Sequence, residues 1–138
     1  MAVVAELIRE EENGSLSFGN FELEVKTKQD GFQYNGDSYK IKTFYEITKL
    51  ERNGKFVYES VPGTAVHEFR ANDKKVMFDV EGEVDAQVTL ELEPETEYKV
   101  YVSDVYVGKM KTNLGGKLSI SVELENNEEA IPVVIEKA

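Results

Sequence analysis

The chain of 138 residues carries 27 acidic against 16 basic side chains, a formal net charge of -11 that repels nucleic-acid phosphates and anionic membrane surfaces, so neither partner is expected. It contains no cysteine, which closes disulfide, zinc-thiolate and thiol-nucleophile chemistry and fits the reducing cytoplasm, the expected compartment. A chain of this size buries a core without staples, shows no run long enough to span a bilayer, and starts without the basic leader of a signal peptide.

From the N-terminus, Val3, Val4, Leu7 and Ile8 fit one helical face, but their β-branched content favours a strand from Val3 to Ile8. Glu10-Glu11-Glu12 reads as a solvated turn. Phe21, Leu23 and Val25 alternate with Glu22, Glu24 and Lys26, the period of a half-buried strand. Asn13-Gly14, Asn35-Gly36 and Asn53-Gly54 supply the positive φ that two-residue hairpin loops demand. Phe32 and Tyr34 lead into the second of these turns, and Tyr39 and Ile41 lead out. Around the third, Tyr45 to Arg52 faces Lys55 to Ser60. A two-residue loop there sets Leu50 opposite Val57 but puts Arg52 beside Lys55, a like-charge pair that argues for a longer loop.

Pro62-Gly63 is a strong breaker, and ten of the fourteen Phe and Tyr residues precede Ala71. The expected organisation is all-β: an aromatic-rich antiparallel meander over 1–62 and an immunoglobulin- or fibronectin-like sandwich over 63–138. The second part shows seven alternating segments: Ala65 to Ala71, Lys75 to Glu81, Gln87 to Leu92, Glu97 to Val102, Val105 to Thr112, Lys117 to Leu124 and Ile131 to Glu136. Pro132 cannot donate to a ladder, which places it on an edge or at the beginning of pairing.

Little in the chain suggests catalysis. His67 shares strand parity with Phe69 and reads as a partly buried structural imidazole. No serine lies in a nucleophile elbow, and Gly115-Gly116 stands between strands, where a phosphate loop would precede a helix. Glu91, Glu93, Glu95 and Glu97 recur at every second position without the spacing of a calcium loop. No catalytic residue, metal or cofactor is assigned. Tyrosines remain, because a phenol ring offers rigid apolar area with a polar handle, suited to protein interfaces or sugar stacking. Tyr101 is the first candidate, since it falls on the polar side of a strand whose other face carries Tyr98, Val100 and Val102; Tyr106 and Tyr58 join it.

The stretches Met1-Ala-Val-Val-Ala-Glu-Leu-Ile-Arg9, Asn13-Gly-Ser-Leu-Ser-Phe-Gly-Asn20, Phe56-Val-Tyr-Glu-Ser-Val-Pro-Gly-Thr-Ala-Val66 and Val107-Gly-Lys-Met-Lys-Thr-Asn-Leu-Gly-Gly-Lys-Leu118 resemble a family of small proteins of clostridial gut bacteria that carry the label endosialidase. The resemblance covers nearly the whole chain, implies that its two halves travel together, and brings no catalytic motif. Sialidases hold the substrate carboxylate with three arginines on a six-bladed propeller. Arg9, Arg52 and Arg70 match the number, but the chain has no tryptophan, no Ser-x-Asp-x-Gly-x-Thr-Trp box and too few residues for a propeller. The label then implies a non-catalytic assembly segment of the kind that accompanies phage tail enzymes. The expected role is an interaction or structural module that binds a protein or itself; carbohydrate binding through exposed tyrosines comes second, and sialidase-type hydrolysis third.

Overall fold

In the computed structural model, which describes residues 3–138, the alternating pattern forms thirteen strands and no helix among the described residues. None of those residues therefore forms a helix long and apolar enough to cross a membrane. The strands are β1 (Ile8–Glu10), β2 (Leu16–Phe18), β3 (Thr27–Tyr34), β4 (Asp37–Phe44), β5 (Ile47–Arg52), β6 (Lys55–Val61), β7 (Ala65–Ala71), β8 (Lys75–Glu81), β9 (Ala86–Glu91), β10 (Glu97–Val102), β11 (Val105–Lys111), β12 (Lys117–Val122) and β13 (Ile131–Lys137). They build two antiparallel sheets, a seven-stranded one in the order β1-β2-β7-β8-β13-β10-β11 and a six-stranded one in the order β12-β9-β6-β5-β4-β3.

The meander expected in the first part is present as β3 to β6, and the seven segments expected after Thr64 are β7 to β13. The division at residues 62 and 63 is corrected. β2 pairs with β7, and β6 pairs with β9, so both sheets are stitched across that point. The later seven strands split five and two between the sheets, and each sheet is completed by earlier strands. Pro62-Gly63 is where the chain crosses from one sheet to the other. A Cβ on Gly63 would lie 2.0 Å from the Phe44 carbonyl oxygen, so the crossing passes too close to the β4–β5 turn for any side chain.

The inner faces meet in one core. Phe18 of β2 meets Tyr58 of β6 edge-to-face at 5.2 Å, and Tyr58 meets Phe78 of β8 at 5.8 Å, so the six-stranded sheet's tyrosine is wedged between two phenylalanines of the opposite sheet. Ile41, Leu50, Val66, Val88, Val100, Val133 and Ile135 are fully buried around it, each contributing roughly 1.5–3 kcal/mol of transfer free energy.

Three local expectations change, and a fourth, for Pro132, is narrowed to one of its two alternatives. The first strand begins at Ile8, because the Leu7 N–H bonds to the Val4 carbonyl and Leu7 turns to φ 74°. Phe21 to Lys26 is an irregular passage between the sheets. Its alternation does not line one buried face: Phe21 is buried and Val25 is 74% exposed, and the Asn20 side chain takes the Glu22 N–H to make a turn. Asn53-Gly54 is a two-residue loop with φ 51° and 77°, and Arg52 does oppose Lys55. A bulge then sets Leu50 against Tyr58 instead of Val57, and Arg52 turns to the Tyr39 hydroxyl. Pro132 lies within the sheet, between β8 and β10, but at the second residue of β13, where pairing begins and a missing N–H is tolerated.

Candidate functional site

The two solvent faces of the sandwich differ. Across the six-stranded sheet the registers align Ser119, Thr89, Glu59, Lys49, Lys42 and Lys28 in one row, polar from edge to edge. Outward Phe56 on that side is covered by the Lys117 and Lys49 ammonium groups, 4.3 and 5.9 Å from its ring centre. Across the seven-stranded sheet the corresponding row runs Arg70, Met77, Val134, Tyr101, Tyr106. This row is apolar over four strands, with an arginine at one end. The rings of Tyr101 and Tyr106 tilt together at 5.4 Å, and Val105, Tyr106 and Val107 on the edge strand β11 are all at least half exposed.

Charges flank the row unequally. On one side the registers place Lys75, Glu136, Lys99 and Lys109 side by side. On the other side Asp79 of β8 lies with Glu68 and Asp104. Partial burial pushes the Asp79 carboxyl up, the two neighbouring carboxylates push the same way, and His67 opposes them. His67 itself bonds to Glu81 at 2.8 Å, but it pairs with Asp79 in the outer row and does not share the parity of buried Phe69, because the register shifts between His67 and Arg70. A shallow hollow of about 120 Å³ lies between Arg70, Met77, Asp79 and Val134. The apolar row thus has lysines with Glu136 on one side and Asp79, Glu68 and Asp104 near its other side.

Of the three tyrosines singled out from sequence, Tyr101 and Tyr106 are brought together on this face. Tyr58 is removed from the candidates: it is fully buried and its hydroxyl bonds to Thr64 Oγ1 at 2.8 Å. Its parity is that of Tyr98 and Leu50, the core parity, which the bulge at Val57 in β6 hides from a reading of spacing alone. Met77, Val134 and the flanking charges were missed, because only strand order and register show that they are neighbours.

A second concavity opens at the end of the sandwich, a cleft of about 780 Å³ between the β3–β4, β5–β6, β7–β8 and β9–β10 turns. Tyr34, Tyr39, Phe56 and Tyr98 give it aromatic walls, and Asn35, Asp37, Arg52, Lys55 and Asp73 line its mouth. Burial pushes the Tyr39 hydroxyl up, against the pull of the Arg52 guanidinium bonded to it. Glu91 and Glu93, part of the acidic series, are ion-paired with Lys117 at 3.6 Å and with Lys137. Among the described residues no three or more His, Cys, Asp or Glu side chains gather as metal ligands would. The three arginines are dispersed: Arg9 bonds to Glu11 and Glu6, Arg52 lines the end cleft and Arg70 the outer face.

Comparison of the chain with protein-family models, curated proteins and solved structures gives no match. The functional reading rests on this geometry.

Proposed function

We propose that the protein is a non-catalytic interaction module of the cytoplasm, immunoglobulin-like in its strand spacing, that docks a folded protein surface on the outer face of its seven-stranded sheet. The observation that carries this reading is the contrast between the two solvent faces. An apolar row with paired tyrosines is unfavourable in water and gains from being covered, whereas the opposite row is fully polar. Tyrosines in such a row contribute contact area at low entropic cost. The test is a photo-reactive phenylalanine placed at Tyr106 or, on the opposite face, at Ser119, irradiated in cells. The reading expects discrete protein adducts from position 106 alone; adducts from 119 alone, or from neither, would end it.

Carbohydrate binding is a second reading, favoured by the end cleft. Aromatic walls and a mouth rich in amide, carboxylate and guanidinium groups match the mixed apolar and hydrogen-bonding surface of a sugar ring. A glycan array read with wild type and with Arg52→Ala checks it; silence across the array discards the reading.

A further inference from the structure

The outer face of the seven-stranded sheet is complementary to itself. Lys75, Lys99 and Lys109, with Glu136 between them, lie on one side of the apolar row, and Asp79 of β8 with Asp104 of the β10–β11 turn lies on the other. A twofold axis laid along the apolar row, in the plane of contact, turns a second copy over onto the first. Positions along the row are kept, so Tyr101 meets Tyr101 and Met77 meets Met77, while Arg70 at the row's end faces Arg70 as a like charge that the flexible side chains must turn apart. Positions to either side are exchanged, so the lysines of each copy lie over the side of the other that carries Asp79 and Asp104, and Glu136 lies over Pro132. On β8 this puts Lys75 of one copy over Asp79 of the other. At the β10–β11 hairpin it puts Lys109 over Asp104. Each contact occurs twice by symmetry, as in any isologous interface, and the strands of the two sheets stay roughly aligned, the common geometry of packed sheets.

We infer that the occupant of this face is a second copy of the chain, held in a twofold dimer about the Met77–Val134–Tyr101–Tyr106 row with Lys75 and Lys109 set against Asp79 and Asp104. The inference rests on the docking reading above and names its partner. Pairing of β11 edges is the competing arrangement. It is opposed by Lys109 and Lys111 on that strand and by the bulge at Val107, which breaks the run of free backbone groups. A face-to-face contact uses those lysines; an edge-to-edge contact has to accommodate them.

Sedimentation velocity of the full chain gives the test. Wild type is expected to dimerise with rising concentration and to dissociate more readily in high salt, since the charge contacts are peripheral. One double variant, Lys75→Glu with Lys109→Glu, and another, Asp79→Lys with Asp104→Lys, each set like charge against like in their own homodimers. Both are expected to raise the dimer dissociation constant about tenfold or more. Mixed in equal amounts the two variants regain complementary charges, and a heterodimer returns to near the wild-type constant. Asp104 and Lys109 are exposed and Lys75 and Asp79 are half-buried on the outer face, and circular dichroism confirms that each variant is folded. A wild-type chain that stays monomeric up to about 1 mM, where even weak contacts register, overturns the dimer; so does a mixture no tighter than either variant. If position 106 then crosslinks another protein and never a second copy, the docking reading survives and the dimer alone has failed.

Discussion

At Thr64 a single hydroxyl ties together the strand that ends one sheet's meander and the crossing to the other sheet. Its Oγ1 bonds to the Tyr58 hydroxyl at 2.8 Å and to Ser60 Oγ at 2.7 Å, and its backbone bonds in both directions to Thr48 Oγ1. All these groups are buried, so an unsatisfied partner pays its full desolvation cost. Thr64→Val keeps the shape and strands two hydroxyls, and is expected to cost about 2–3 kcal/mol, whereas Tyr58→Phe removes one member and costs about 1 kcal/mol. Urea unfolding of the two variants checks the order. Glu11 makes a pH prediction. Ser17 donates to its carboxylate at 2.6 Å and Arg9 at 3.0 Å, holding the carboxyl below the usual range. A carboxyl lowered by folding adds stability above its unfolded pKa and loses it as pH falls through the folded value. Glu11→Gln is therefore expected to be less stable than wild type at neutral pH, by at most about 1 kcal/mol given the solvent around the pair. That gap closes toward acid, read from urea midpoints at pH 7 and about pH 3.

At the scale of elements, turns and crossings are governed by different constraints. Gly36, in the β3–β4 hairpin, has φ +80° and open space where a Cβ would go, so Gly36→Ala meets only the cost of a left-handed backbone, about 1 kcal/mol. Gly63 at the sheet crossing has the Phe44 carbonyl oxygen in that space, and Gly63→Ala is expected to cost roughly 3 kcal/mol or more. Thermal unfolding monitored by tyrosine absorbance distinguishes the two. The same distinction explains what could be read from the sequence. Asn-Gly pairs and period-two alternation act locally, so the two-residue hairpins at Asn35-Gly36 and Asn53-Gly54 and the seven later strands were legible, as was the outward aim of Tyr101, whereas Asn13-Gly14 sits in a five-residue connection from Glu11 to Ser15. Phe21 to Lys26 shows the limit: a connection that buries one phenylalanine can alternate by composition without pairing with anything. The apolar row was hidden for a related reason. Its members come from β8, β13, β10 and β11, an order dictated by long-range pairing that no local pattern encodes.

The whole molecule behaves as one cooperative body if the pairing across the crossing is what holds it. The seven-stranded sheet depends on β2 to cover the outer edge of β7, and β9 and β12 form a pair with no sheet of their own until β6 joins them. Tyr58, the largest fully buried side chain, comes from the earlier residues and fills the space between Phe18 and Phe78. A fragment of residues 63–138 would keep all seven later strands yet lose the opposing inner face contributed by Tyr39, Ile41, Leu50 and Tyr58. Its two remaining strands of the second sheet could cover only part of the five-stranded remainder of the first, leaving Phe69, Phe78 and Val80 open to water. An isolated pair of strands is itself marginal. The fragment is therefore expected to lack dispersed amide resonances and a cooperative melt, while the full chain unfolds in a single transition with matching calorimetric and van't Hoff enthalpies. A folded fragment, or two separated transitions in the full chain, would show that the halves are independent and that the shared core contributes little to holding them together.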